Sequence, residues 1–153
     1  MSSTIALGDA KNAESYVRTL AVFFFFSLMN EDHVILNTIK ILDKIKKINA
    51  SKTKDLVLIR MATEIVYDSD LSQVYITKGL NEKWILSMGQ DIGPWKEFHK
   101  NARKEEMISL LWTHVLKMDE LTVLEALNLN KGTHYYRISS ALKRLGTITF
   151  SLG

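Results

Sequence analysis

Apolar residues along this chain recur every three or four positions rather than every second one, and a single proline interrupts them. That spacing gathers apolar side chains on one face of a helix, so the sequence predicts an all-α fold. Helices are expected at about 13–29, 31–48, 52–68, 71–88, 95–117, 119–127 and 131–145. Local end signals support several of them. Asn30 stands before Glu31 and Asp32, Ser51 before the third helix and Asn130 before the last, each a residue suited to capping the first turn. Gly146 follows Lys143 and Arg144, which suits a glycine just past a helix end.

The run "LAVFFFFSLM", Leu20 to Met29, is apolar nearly all round, which marks the buried centre of the first helix. It is shorter than the roughly 20 apolar residues a bilayer crossing takes. It also lacks the cleavage site of a signal peptide, so no membrane partner is expected and a cytoplasmic location is. The segment Thr77 to Trp95 holds three of the seven glycines and the only proline. It is expected to be a hinge, dividing the chain into an N-terminal helical bundle, residues 1–76, a linker, 77–95, and a C-terminal helix-turn-helix domain, 96–153.

Charge changes the picture in the last third. Residues 1 to 95 carry eleven basic and eleven acidic side chains, whereas residues 96 to 153 carry nine against six. From Ala126 onward there are four basic residues, Lys131, Arg137, Lys143 and Arg144, and no acidic one. Such a bias suits either a polyanion or a solvated helix face.

Within that third, "ELTVLEALNLNKGTHYYRISSALKRLG", Glu120 to Gly146, joins two amphipathic stretches through a junction at Asn128 to Lys131. In the first stretch Leu121, Leu124, Ala126 and Leu127 are the apolar positions, and Leu129 can plug the corner. In the second, Ile138, Ala141, Leu142 and Leu145 fall on one side, expected to face inward, with His134 packed near them. Thr133, Arg137, Ser140 and Arg144 fall on another, expected to face outward. Hydroxyls and guanidinium groups in such a stripe can donate to phosphate, and arginine can pair with guanine. Lys131, Tyr136 and Lys143 extend the candidate DNA-binding set, although Tyr135 and Tyr136 also suit a half-buried place beside the neighbouring helix. The pattern fits a DNA-reading helix-turn-helix and equally an αα-corner of the core.

Leu121 to Leu145 resembles the C-terminal helix-turn-helix (region 4) of sigma-70-type factors, especially the extracytoplasmic-function group. Val123, Leu127, Leu129, Gly132, Thr133, Arg137, Ile138, Ala141 and Leu145 fall in register with that group's pattern. "IRMATEIVYD", Ile59 to Asp68, is similar to the promoter-reading helix of the family's region 2, with Arg60, Met61, Ala62 and Asp68 in register. "LMNEDHVILNTIKILDKIKKI" resembles the preceding helix, so the resemblance spans Ala13 to Leu145. It implies a sigma-like transcription factor that binds double-stranded DNA and docks on RNA polymerase core, with an anti-sigma protein as a further partner. Some positions depart from the family. Val34 to Leu42 has no acid, Thr63 and Glu64 replace a basic residue and an asparagine, and Asn128 and Ser140 replace a glycine and an arginine. These departures suit an alternative in which the fold serves protein–protein interaction or self-association without promoter recognition.

Catalysis is not expected. The four histidines, His33, His99, His114 and His134, are far apart, no phosphate-binding glycine motif occurs, and there is no cysteine. No cofactor and no metal are expected, and His114 is expected at the edge of the core.

Overall fold

The computed structural model describes residues 13–71 and 92–152, and these are α-helical with short connections. The helices are α1 (Ala13–Leu28), α2 (Glu31–Ile45), α3 (Ser51–Tyr67), α4 (Ile92–Asn101), α5 (Lys104–Leu110), α6 (Glu120–Leu127) and α7 (Lys131–Leu152). A π-helical turn, Leu111–Val115, extends α5. The predicted helix at 71–88 and most of the predicted hinge lie outside the described residues. The hinge's last residues, from Ile92, already belong to α4.

α1 is the centre of the molecule. Phe23, Phe24 and Phe25 are buried, with Phe26 half-buried, so the phenylalanine run fills a core from all sides of one helix. α2 and α3 pack on α1, and α4 is fastened to its C-terminal end by two side chains. The Trp95 indole N–H donates to the Phe26 carbonyl at 2.8 Å, and His99 Nε2 donates to the Ser27 carbonyl at 2.7 Å. Both carbonyls lie in the last turn of α1, where no intrahelical donor reaches them. Among the described residues no helix is long and apolar enough to cross a membrane.

Trp112, in the π-helical turn, joins the first half of the chain to the second. Its ring stacks on Phe23 with centroids 4.0 Å apart, and its N–H donates to Thr63 Oγ1 at 3.0 Å. Lys104 adds a second tie by donating to the carbonyls of Tyr67 (3.0 Å) and Ser69 (2.7 Å), at and just beyond the C-terminus of α3. That is where the helix dipole favours a cation. One continuous apolar core therefore runs from Tyr16 in α1 to Ala141 in α7.

Three end signals resolve differently from expectation. Ser51 is the first residue of α3 rather than its cap, which is Ala50 and makes no side-chain bond. The expected single helix over 95–117 is broken at Arg103, whose backbone is extended (φ −81°, ψ 141°). This bend lets α4 and α5 each lie against α7. Gly146 does not end the last helix, because α7 continues through it to Leu152.

Candidate nucleic-acid interface

α6 and α7 are joined by a short turn, and each step of the chain path through them has a local cause. Asp119 caps α6 by accepting from the Thr122 N–H (3.1 Å) and the Thr122 hydroxyl (2.9 Å). These bonds hold the Asp119 carboxyl below its usual pKa. Asn128 ends α6 in the left-handed conformation (φ 56°, ψ 50°), which asparagine tolerates better than most residues. Its neighbour's Leu129 N–H bonds back to the Leu124 carbonyl at 3.0 Å, closing the helix end. Asn130 then caps α7, its side chain accepting from the Thr133 N–H at 2.8 Å.

The inward face of α7 is rotated from the expected one. His134, Ile138 and Ala141 are buried, with Leu145 half-buried, while Leu142 is 40% exposed. His134 is packed with the inward residues, as its place in the sequence suggests, and Leu142 is the one that departs. Its two ring nitrogens meet Thr113 Oγ1 (2.9 Å) and Ser109 Oγ (3.2 Å), so a polar ring is satisfied inside the core. Burial pushes its pKa down; the Glu120 carboxylate opposes that shift, and Arg137 and His114 add to it. His114 itself is exposed, not at the core edge. In α6, Leu121 is exposed, while Thr122, Val123 and Ala126 face inward.

The stripe expected to face outward is correspondingly half-buried. Thr133, Arg137, Ser140 and Arg144 all sit on the flank of α7 that meets its neighbours. Arg144 Nη2 lies 3.6 Å from Glu106 Oε1, an ion pair longer than a hydrogen bond, and Glu106 is only 4% exposed. Arg137 borders a small cleft of about 190 Å³ with Arg60, Glu64, Tyr67 and Glu105, where its charge favours the Tyr67 phenolate. Burial keeps the Tyr67 pKa above its ordinary value in spite of that arginine. Both arginines thus tie α7 to the bundle, Arg137 to α3 and Arg144 to α5.

Among its described residues, α7 presents Lys131, Gly132, Tyr135, Tyr136, Ser139, Leu142 and Lys143 to solvent. Of the expected DNA-binding set, Lys131, Tyr136 and Lys143 lie on this face. Tyr135 and Ser139 join it; the sequence leaves Tyr135 open between a half-buried and a surface place, and it misses Ser139 because the inward face is drawn to include Leu142. Lys131 Nζ lies 5.6 Å from the centre of the Tyr135 ring. The Tyr135 hydroxyl bonds the Glu120 carboxylate, which raises its pKa. Lys131 and Lys143 are about 18 Å apart along the axis at 1.5 Å per residue. Between them lie two tyrosine hydroxyls and a serine, and α7 adds no carboxylate there.

In the N-terminal half, α3 is the helix expected to read a promoter. There Thr63 is buried against Trp112, while Arg60 and Glu64, one turn apart, are both exposed, so this stretch of the helix shows water a base and an acid side by side. Among the described residues no group of three or more His, Asp or Glu side chains is arranged to hold a metal. No family model, no curated protein and no solved structure matches this chain.

Proposed function

We propose that this chain is a sigma-like, duplex-DNA-binding protein whose helix-turn-helix contacts the phosphate backbone through the exposed face of α7, with its N-terminal helices docking on RNA polymerase core. The observation that carries this reading is the capped α6–turn–α7 unit, whose second helix turns two lysines, two tyrosines and a serine to solvent without a carboxylate of its own. An α-helix fits the major groove of B-DNA, and these groups donate to phosphate oxygens. The resemblance of Leu121 to Leu145 and of Ile59 to Asp68 to regions 4 and 2 of sigma-70-type factors supports the polymerase partner. The contact residues are Lys131, Tyr135, Tyr136, Ser139 and Lys143, while Thr133, Arg137, Ser140 and Arg144 support the helix from behind.

The test is binding to mixed-sequence duplex over a series of salt concentrations. Lys131→Glu with Lys143→Glu should weaken binding on every sequence and flatten the logarithmic salt dependence by about 0.9 for each phosphate no longer neutralised. Unchanged binding would remove α7 from the interface. Co-elution with core RNA polymerase tests the second partner separately.

A second reading, a protein-interaction module without promoter recognition, is favoured by one observation. Ile35, Leu36 and Ile39 on α2 are each more than 60% exposed.

A further inference from the structure

α2 has two faces. Val34, Thr38, Ile41 and Ile45 are buried against the bundle. On the other side Ile35 (62% exposed), Leu36 (65%) and Ile39 (61%) cluster within little more than one turn, a concentration of aliphatic surface unlike singly scattered apolar residues. The helix is also polarised. Glu31 and Asp32 stand in its first turn, and Lys44, Lys46 and Lys47 outnumber the one acid, Asp43, at its end. A helix whose charge reverses about an apolar centre is complementary to itself run in the opposite direction.

We infer that this face receives a second copy of the chain, with the two α2 helices antiparallel about a two-fold axis at Ile39. The register follows from the charges. Asp32 of one copy then stands opposite Lys46 of the other, and the symmetry repeats the pair. Lys46 is already held on this side by Asp43, 2.9 Å away. The same register carries Ile35 to the level of Asp43 of the second copy. Beside that level a cleft of about 400 Å³ is lined by Tyr16, Ile39, Leu42, Asp43, Lys46 and Lys54. Each copy thus supplies an aliphatic knob at one end of the face and a recess at the other, which an isologous interface requires. One helix pair covers less than the roughly 800 Å² per partner of a standard interface, so association in the micromolar range is expected. This pairing deepens the interaction reading of α2 and is independent of the DNA reading.

The test is the mass of the full chain in solution across a wide concentration range, by sedimentation equilibrium. The mass should rise with concentration from 17.5 kDa toward twice that value. Ile39→Glu should hold it at one chain while melting like the parent, because Ile39 is exposed. Asp32→Lys and Lys46→Glu should each weaken association by about tenfold, and an equimolar mixture of the two should recover it, because the mixed pair restores opposite charges at both ends. A chain monomeric at every concentration, or two charge variants that fail to rescue each other, would overturn the antiparallel dimer. A photo-crosslinker at position 39 in cells separates the two failures. A product of other mass would keep the interaction reading and remove only the second copy, and no product would remove both.

Discussion

Arg144 and Glu106 show how one side chain can mislead and then explain. In sequence Arg144 is a basic residue on a basic helix, and nothing nearby in the chain marks Glu106 as its partner. In the structure Glu106 is almost wholly buried, and Arg144 is the cation set against it at 3.6 Å, with its own side chain 38% exposed. Removing the arginine leaves a carboxylate in the core without its counter-charge. Solvent reaching the guanidinium reduces the loss from the range typical of fully buried pairs, so Arg144→Ala should cost about 1–2 kcal/mol. That is a fall of about 2–8 °C in thermal midpoint for a chain of this size. Adding Glu106→Gln should recover much of it, measured by thermal unfolding of the single and double variants. No recovery would mean that Arg144 acts through its aliphatic packing instead. The sequence reads Thr63 no better. As a replacement for a basic residue it suggests weakened DNA binding, whereas its hydroxyl accepts from Trp112 inside the core. Both misreadings arise from pairs 38 and 49 residues apart, which no local pattern records.

At the scale of elements, local chemistry is a better guide. α1, α2 and α3 begin and end within about three residues of the helices that apolar spacing predicts, and Asn30 and Asn130 cap as their positions suggest. The turn between α6 and α7 is readable because it is made of short-range bonds from Asp119, Asn128 and Asn130. The rotation of α7 is not, since it depends on which neighbours can satisfy a buried imidazole. Arg103 likewise breaks the fifth predicted helix although the apolar spacing runs on through it. Gly146 gives a prediction of its own. It sits within α7, with nothing closer than 4 Å to the place a Cβ would occupy. Glycine in a helix interior costs about 0.5–1 kcal/mol relative to alanine, mostly through the freedom it loses on folding. Gly146→Ala should therefore raise stability by about that amount in a denaturant titration. A loss would mean that the last turns of α7 need the glycine for an approach that isolated chains do not make.

At the scale of the molecule, the described residues on either side of the predicted hinge share side chains. The sequence divides it at a hinge, yet His99 from the second half donates to the Ser27 carbonyl of the first, and Trp112 stacks on Phe23. Unfolding should accordingly be a single cooperative transition rather than two. Its pH dependence follows from the two buried imidazoles. Burial pushes the pKa of both His99 and His134 down; the hydrogen bond to Ser27 opposes this at His99, as the Glu120 carboxylate does at His134. The folded chain thus keeps both rings neutral at a pH where the unfolded chain, with an ordinary histidine pKa of about 6.5, takes up protons. Where the unfolded state binds more protons, stability rises with pH. The histidine contribution is therefore complete above about pH 6.5 and is lost as pH falls below it, down to the lowered folded-state values. Asp119, whose pKa is lowered from 3.8, gives up its own contribution only in more acidic solution, so the two effects separate along the pH axis. Thermal midpoints should be level through neutral pH and fall as the solution is acidified toward about pH 5, with near-ultraviolet circular dichroism from the buried tryptophans lost in the same step. His99→Gln can still donate to the Ser27 carbonyl but does not titrate, so it should make that fall shallower. A decline equally steep in the variant would place the acid sensitivity elsewhere, and two separate transitions would show that the shared core does not couple the halves.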